Sequence, residues 1–293
     1  MKVGIIGGSG LYQLDGLEPL ETIRLTTPFG APSDHYVRGQ GGRHEIFFLP
    51  RHGRGHRLLP AEINHRANIF GFKQLGVDRV LSVSAVGSLR EHLRPRDIVL
   101  PNQYLDRTKQ SAAHTFFGNG LVAHVAFAEP VCLDLHAFLF REIQQALTRR
   151  GESKTRLHHG GAYVCMEGPA FSTQAESNAY RQLGGDVIGM TSLPEAKLCR
   201  EAEICYAAIA MVTDYDCWRA GEEHVTVEMI LANLAANTAL AKDVLAHLIA
   251  ALPEARTCAC GTALQNAIIT DRGAIPEAIK TALQPIIGRY MNG

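Results

Sequence analysis

Short apolar runs alternate with segments of helical periodicity along most of this chain. The runs Lys2–Gly7, His44–Pro50, Arg79–Val86, Asp97–Leu105, Gly161–Gly168, Asp186–Thr191 and Cys205–Asp214 read as strands covered on both faces. Between them, Pro60–Gly76 reads as a helix opening on a proline and closing on a glycine. Leu133–Gly151 reads as another, with Arg149 and Arg150 in its last turn as the helix dipole favours. A third helix is expected from about Thr226 to Leu252. Asn233, Asn237, Lys242 and Asp243 interrupt its apolar surface, so it is expected to lie on a globular body and not to span a membrane. The pattern predicts an α/β fold in which a central sheet is covered on both sides by helices. No repeat or low-complexity linker divides it, so residues 1–253 are expected to form one domain and 254–293 an extension packed on it or on a neighbouring subunit.

Composition narrows the function classes. Of 293 residues 46% are apolar, enough for a full core, and Lys+Arg and Asp+Glu both number 29. Zero formal charge and no basic stripe argue against a nucleic-acid partner. The opening "MKVGIIGGSG" lacks the apolar length of a signal peptide or a membrane anchor, so a cytoplasmic location is expected. The seven cysteines are scattered along the chain with no CxxC pair and no paired-histidine spacing beside them, so no metal site is expected. They read either as buried small hydrophobes or, for Cys258 and Cys260 of "TCACG", as thiols that oxidation could use to staple the tail.

Candidate chemistry lies at the strand ends. "GIIGGSG" (Gly4–Gly10) fits neither the dinucleotide fingerprint nor the P-loop, and stays open between a tight turn and an anion cradle. "PRHGRGHRLLP" crowds Arg51, His52, Arg54, His56 and Arg57 behind a strand, and "SVSAVGS" (Ser82–Ser88) adds hydroxyls and bare amides. Three such loops in one sheet point to a phosphate site. "MEGPAFSTQAES" offers Glu167, Phe171 and Ser172 to a sugar and a base, and "GMTSLPEA" adds Met190, Thr191 and Glu195. Taken alone, Phe171 also reads as core and Glu195 as a complement to a helix dipole. "MVTDYDCW" sets Asp214 and Asp216 where a buried strand leaves the core.

In order, "GIIGGSGL", "TPFGAPSD", "RHGRGHRLLPAEINHRANI", "VGSLRE", "DIVLPNQYLDRT", "EGPAFSTQAES", "GMTSLPEAKL" and "TDYDCW" resemble the 5′-methylthioadenosine phosphorylases, a branch of the trimeric purine nucleoside phosphorylase family. The resemblance spans about Val3 to Leu252 and implies a three-layer α/β fold, a mixed central sheet flanked by helices. It implies that phosphate displaces adenine from the thioribose C1′ with no metal or organic cofactor. Phosphate would be held by Ser9, Arg51, His52, Ser84, the Ala85 amide and Thr191. Met190 would lie on the ribose, Phe171 and Ser172 on the purine, and Val227 and Ile230 around the methylthio group. His124 would reach a neighbouring subunit of a trimer or a dimer of trimers. Asp214, Asp216 and His52 would be the catalytic groups. Adenine leaves readily only if N7 gains a proton and N6 meets an acceptor, tasks that suit Asp214 and Asp216. Holding Asp214 protonated at neutral pH means lifting its pKa from about 3.9 to about 7, roughly 4 kcal/mol; otherwise it stays ionised and a water carries the proton. Relatives preferring 6-oxopurines have Asn at that position, so "TDYD" argues for adenine over inosine or methylthioinosine, with a broader purine nucleoside specificity as the alternative.

Overall fold

The computed structural model describes residues 1–11, 18–219 and 227–291, with side chains left out at 18, 19 and 227–231. In chain order its elements are β1 (Lys2–Gly7), β2 (Glu18–Ile23), β3 (Tyr36–Gly41), β4 (His44–Pro50), α1 (His65–Gln74), β5 (Arg79–Ser88), β6 (Ile98–Leu100), β7 (Gln103–Arg107) and α2 (Leu133–Arg150). There follow β8 (Leu157–His159), β9 (Ala162–Met166), α3 (Gln174–Gln182), β10 (Val187–Gly189), α4 (Ser192–Glu201), β11 (Cys205–Asp214), α5 (Val227–Ala251), α6 (Glu277–Ala282) and α7 (Gln284–Ile287).

The strands form one mixed sheet with β5 at its centre. On one edge β5 runs parallel to β11 over nearly its whole length. Its other edge is shared. Arg79–Ser82 pair with β1, while Gly87 and Ser88 pair with β10, which runs the opposite way. Between those two pairings, residues 83–86 face no strand on that side among the described residues. Their backbone is left to a cleft, the usual consequence of a switch in strand neighbours.

One face of the sheet is covered by α2 and α5, where Leu139, Ile143, Val244, Leu245 and Leu248 pack on Ile5, Leu81 and Ile209. The opposite face is covered by α1, α4 and the C-terminal segment, with Phe70, Phe72, Leu198, Leu264, Ile286 and Ile287 around Ile6, Val80 and Tyr206. Residues 232–251 of α5 are long and apolar enough to cross a membrane, but Leu245 and Leu248 of that stretch are core. Two amides fix α5 to the end of β11: Asn233 donates to the Thr213 carbonyl (2.8 Å) and Asn237 to that of Val212 (2.9 Å).

Three sequence expectations change in the structure. Pro60 opens a 3-10 turn, Pro60–Glu62, and the helix proper begins at His65. The cause is Asn64, whose side chain accepts from the Ala67 amide (3.0 Å) and caps the helix there. The run Asp97–Leu105 divides at Pro101, which has no N–H to give a ladder; β6 goes to β11 and β7 to β9. The cysteines are not scattered: the sulfurs of Cys132, Cys205, Cys258 and Cys260 converge, every pair within 4.8 Å. The hairpin β2–β3 and helix α3 escaped the pattern because they bury little. α3 could have been read from Thr173 and Glu176, which form a reciprocal capping box.

Candidate active site

The strand ends meet in one cleft of about 340 Å3. Ser9 enters from the turn after β1, Arg51 and His52 from the end of β4, and Ser84, Ala85, Val86 and Gly87 from the open edge of β5. Because β10 runs against β5, its C-terminal end carries Met190 and Thr191 back over that edge, and α4 starts there with its positive end toward the cleft. Asp214 and Asp216 close the far wall, and Phe171 stands 69% exposed at the mouth.

The β1 turn packs closely on its neighbours. A Cβ on Gly8 would lie 2.6 Å from the Val83 carbonyl and 2.8 Å from Arg51 Nη1. Glycine therefore lets this turn press against β5 and the guanidinium, which places Ser9 in the cleft.

Arg51 is 1% exposed and its charge is already matched. Its Nε donates to Glu195 Oε1 (2.5 Å), Nη2 to Glu195 Oε2 (3.3 Å) and to Ser82 Oγ (2.6 Å), and Nη1 to the Val83 carbonyl (3.0 Å). Glu195, 1% exposed, also accepts from Ser82 (2.7 Å) and Tyr206 (2.9 Å). Burial alone would raise the Glu195 carboxyl, but the Arg51 guanidinium outweighs it and holds the group below its ordinary range. Glu195 is thus the buried counter-ion of Arg51, a role that its place in the first turn of α4 did not reveal.

His52 Nδ1 donates to the Leu58 carbonyl (2.9 Å), and the ring stacks on His56 with centroids 4.3 Å apart. Burial and then the Arg51 charge lower the His52 pKa to about 4, so the imidazole is neutral near pH 7 and Nε2 carries a lone pair. Ser84 supplies a sharper sign of a ligand. Its hydroxyl is buried and makes no hydrogen bond within 3.5 Å among the described residues; the Tyr163 phenol, likewise without one, lies near enough to act on it weakly. A buried donor in that state is costly unless something else satisfies it.

On the opposite wall a break in strand register between Val212 and Asp214 brings Asp214 to the cleft. Asp214 Oδ1 accepts from the Asp216 amide (2.8 Å), and Oδ2 lies 2.6 Å from the Thr213 hydroxyl. Burial raises the Asp214 carboxyl despite these bonds, and the Asp216 charge adds to the rise. Burial likewise raises Asp216, in spite of the Ser177 and Ser172 hydroxyls beside it. Gly87 sits between the walls, where a Cβ would come within 3.0 Å of Asp214 Oδ1.

Ser9, Arg51, His52, Ser84, Ala85, Phe171, Met190, Thr191, Asp214 and Asp216 therefore share one cleft. Ser172 stands behind that wall, its carbonyl accepting from the Cys217 thiol (3.2 Å). His124 is exposed and outside the cleft, its amide bonded to the Ala267 carbonyl (2.9 Å). The side chains of Val227 and Ile230 lie outside the described residues. Sequence reasoning did not assign the apolar lining from Leu59, Val86, Ile188 and Leu234, which come from a loop and three separate elements with no local motif.

A family model described as the phosphorylase superfamily matches residues 2–250. The chain is 54% identical over 289 residues to the S-methyl-5′-thioadenosine phosphorylase of Geobacter sulfurreducens, with 99% of each chain covered. Among solved structures, a methylthioadenosine phosphorylase from an antarctic soil metagenomic library superposes with a TM-score of 0.86 at 44% identity, covering 97% of this chain and 98% of that one. The methylthioadenosine phosphorylase of Schistosoma mansoni in complex with adenine gives 0.81 at 34% identity, covering 98% of both.

Proposed function

The chain belongs to the phosphorylase superfamily and within it to the S-methyl-5′-thioadenosine phosphorylases, and from that premise we propose how its cleft divides the work. The enzyme is a pentosyltransferase that cleaves 5′-methylthioadenosine with phosphate, giving adenine and 5-methylthioribose 1-phosphate.

In the proposed assignment phosphate sits over the open edge of β5. It receives the unpartnered Ser84 hydroxyl, the Ala85 amide, the hydroxyls of Ser9 and Thr191 and the positive end of α4. Arg51, neutralised by Glu195, contributes a fixed dipole beneath the anion, and the neutral His52 either accepts from a protonated phosphate oxygen or takes up a proton on binding. The nucleoside lies between phosphate and the two aspartates, with Met190 against the ribose and Phe171 folded over the purine. Positive charge grows on the ribosyl ring as the bond to adenine lengthens, and the adjacent phosphate dianion stabilises it and then attacks C1′.

Asp214 and Asp216 serve the leaving base. Burial raises both carboxyls; in this assignment Asp214 keeps a proton to share with N7, and its other oxygen together with Asp216 accepts from the 6-amino group. A carboxylate facing O6 would repel it, so the site favours adenine over 6-oxopurines. Inorganic phosphate is the co-substrate, and no organic cofactor enters the scheme. We further infer a cytoplasmic homo-oligomer, a trimer or a dimer of trimers. His124 favours this, being exposed and outside its own cleft, where it could complete a neighbour's site.

The observation that carries this reading is the pairing in one cleft of the unpartnered Ser84 hydroxyl with two carboxyls raised by burial. The test is adenine release from 5′-methylthioadenosine with and without phosphate, beside adenosine, inosine and methylthioinosine. Phosphate-dependent cleavage led by methylthioadenosine is expected. Phosphate-independent cleavage would make the enzyme a hydrolase, and preference for the oxo-bases would overturn the roles given to the aspartates.

A further inference from the structure

At the end of the sheet away from the cleft, four sulfurs come together from three parts of the chain. Cys132 caps α2, Cys205 opens β11, and Cys258 and Cys260 belong to the segment that follows α5. All four Sγ atoms lie within 4.8 Å of one another, and Cys205 and Cys258 are 3.2 Å apart. Cys132, Cys205 and Cys260 are buried and Cys258 is half-buried.

Four thiolates at about 2.3 Å from a central zinc ion stand about 3.8 Å from each other. The observed cluster reaches that tetrahedron by small side-chain rotations, because each sulfur already neighbours the other three. An all-sulfur donor set selects a soft or borderline cation and rejects magnesium and calcium, which require oxygen.

The surroundings suit a negatively charged centre. Four thiolates and one divalent cation leave a charge of two minus. Arg79, Arg141 and Arg256 line the cavity of about 280 Å3 that also exposes Cys132, Cys205 and Cys258. The positive end of α2 points at the cluster, with the Leu135 amide donating to Cys132 Sγ at 3.5 Å. Asp134, a carboxylate in the same lining, is engaged by the Thr257 hydroxyl (2.7 Å).

We propose that Cys132, Cys205, Cys258 and Cys260 bind one zinc-type divalent ion in a closed, four-thiolate structural site that ties the C-terminal segment to α2 and β11. Asp214 lies nine residues along β11 from Cys205, about 30 Å at the rise of a strand, so the ion takes no part in the chemistry of the cleft. Only Cys258 and Cys260 are close in sequence, which is why the spacing of the cysteines did not reveal the site.

The test measures metal and thiols on the whole enzyme, purified without added metal and passed through chelator-free buffer. About one zinc per chain by mass spectrometry is expected, as for a closed structural site. In denaturant with chelator and no reductant, all seven cysteines should react as thiols. Cobalt(II) added to the metal-depleted protein should give sulfur-to-metal charge transfer in the near ultraviolet and the intense visible bands of tetrahedral coordination. Cys258→Ser, at the half-buried position, and Cys260→Ser should each lose the ion. Seven free thiols with little bound metal would overturn the proposal, as would fewer than seven thiols, which would mean that the cluster is paired as disulfides. Because the wild-type protein supplies both measurements, a variant that fails to fold does not decide the matter.

Discussion

Glu195→Gln probes whether the floor of the phosphate pocket is a buried ion pair. The side chain keeps its volume but exchanges one carboxylate oxygen for an amide that cannot accept. In the native site both oxygens are used, one by Arg51 Nε at 2.5 Å and the other by Ser82 at 2.7 Å, Tyr206 at 2.9 Å and Arg51 Nη2 at 3.3 Å. Ser82 and Tyr206 can rotate to accept from the new amide. Arg51 cannot, and with 1% exposure it is left as an uncompensated buried cation. Breaking a buried pair in this way costs about 3–5 kcal/mol. In a chain of 293 residues that corresponds to a fall in Tm of roughly 5–8 °C, at about 2.1 cal/mol/K of unfolding entropy per residue. Urea denaturation at pH 7 measures it directly. The sign follows from the depressed carboxyl of Glu195. Its contribution is complete above the ordinary glutamate range and is lost as pH falls through the lower folded value, so the variant and the wild type should converge in acid. The KM for phosphate should rise as well, because Arg51 would no longer be fixed beneath the anion. A loss under about 1 kcal/mol at pH 7 would refute the reading of Arg51 and Glu195 as a buried charged pair.

Other expectations test the walls of the cleft. Ser84→Ala removes a hydroxyl that is hydrogen-bonded to none of the described residues. It should raise the phosphate KM about 5- to 12-fold, the worth of one hydrogen bond of 1–1.5 kcal/mol, and leave the urea midpoint unchanged; an unaltered KM would remove Ser84 from the phosphate site. Asp214→Asn should lower kcat for 5′-methylthioadenosine by about 100-fold or more and shift relative preference toward methylthioinosine, as initial rates on both substrates will show; unchanged base preference would contradict its role. Gly87→Ala should crowd Asp214, since its Cβ would fall 3.0 Å from Oδ1, and depress kcat more than the phosphate KM. His52 and His65 are held neutral by burial, with pKa values of about 4 and about 3. The unfolded chain binds more protons than the folded one below about pH 6.5, so stability should fall on acidification, by about 2 kcal/mol for each histidine between pH 6.5 and pH 5 at 1.36 kcal/mol per unit. Equal urea midpoints at pH 7 and pH 5 would count against this.

The alternation of apolar runs and helical segments was enough to place the central strands and the long helices, because those elements bury a face and must carry the matching period. Elements that bury little, β2, β3 and α3, leave no such trace, and the start of α1 moved from Pro60 to His65 because one asparagine cap outweighs a proline signal. The loops at the strand ends were legible as anion-seeking and acid-bearing clusters, since glycine, hydroxyl and paired-carboxylate patterns are local. Their resemblance to a known family supplied the substrate, which residue spacing by itself does not give.

What tertiary structure alone decided is how these groups act on one another. Only the fold brings Glu195 under Arg51, turning an expected anion-binding guanidinium into half of a buried pair, and only the fold buries the Ser84 hydroxyl with no hydrogen-bond partner among the described residues. The break in register at the end of β11 brings Asp214 to the cleft, and three distant parts of the chain gather four thiols that looked scattered. Sequence carries what depends on neighbours along the chain, namely periodicity, turns, caps and residue type. Charge state, desolvation and ligand geometry depend on neighbours in space, often more than a hundred residues away, and those are fixed only when the sheet is assembled.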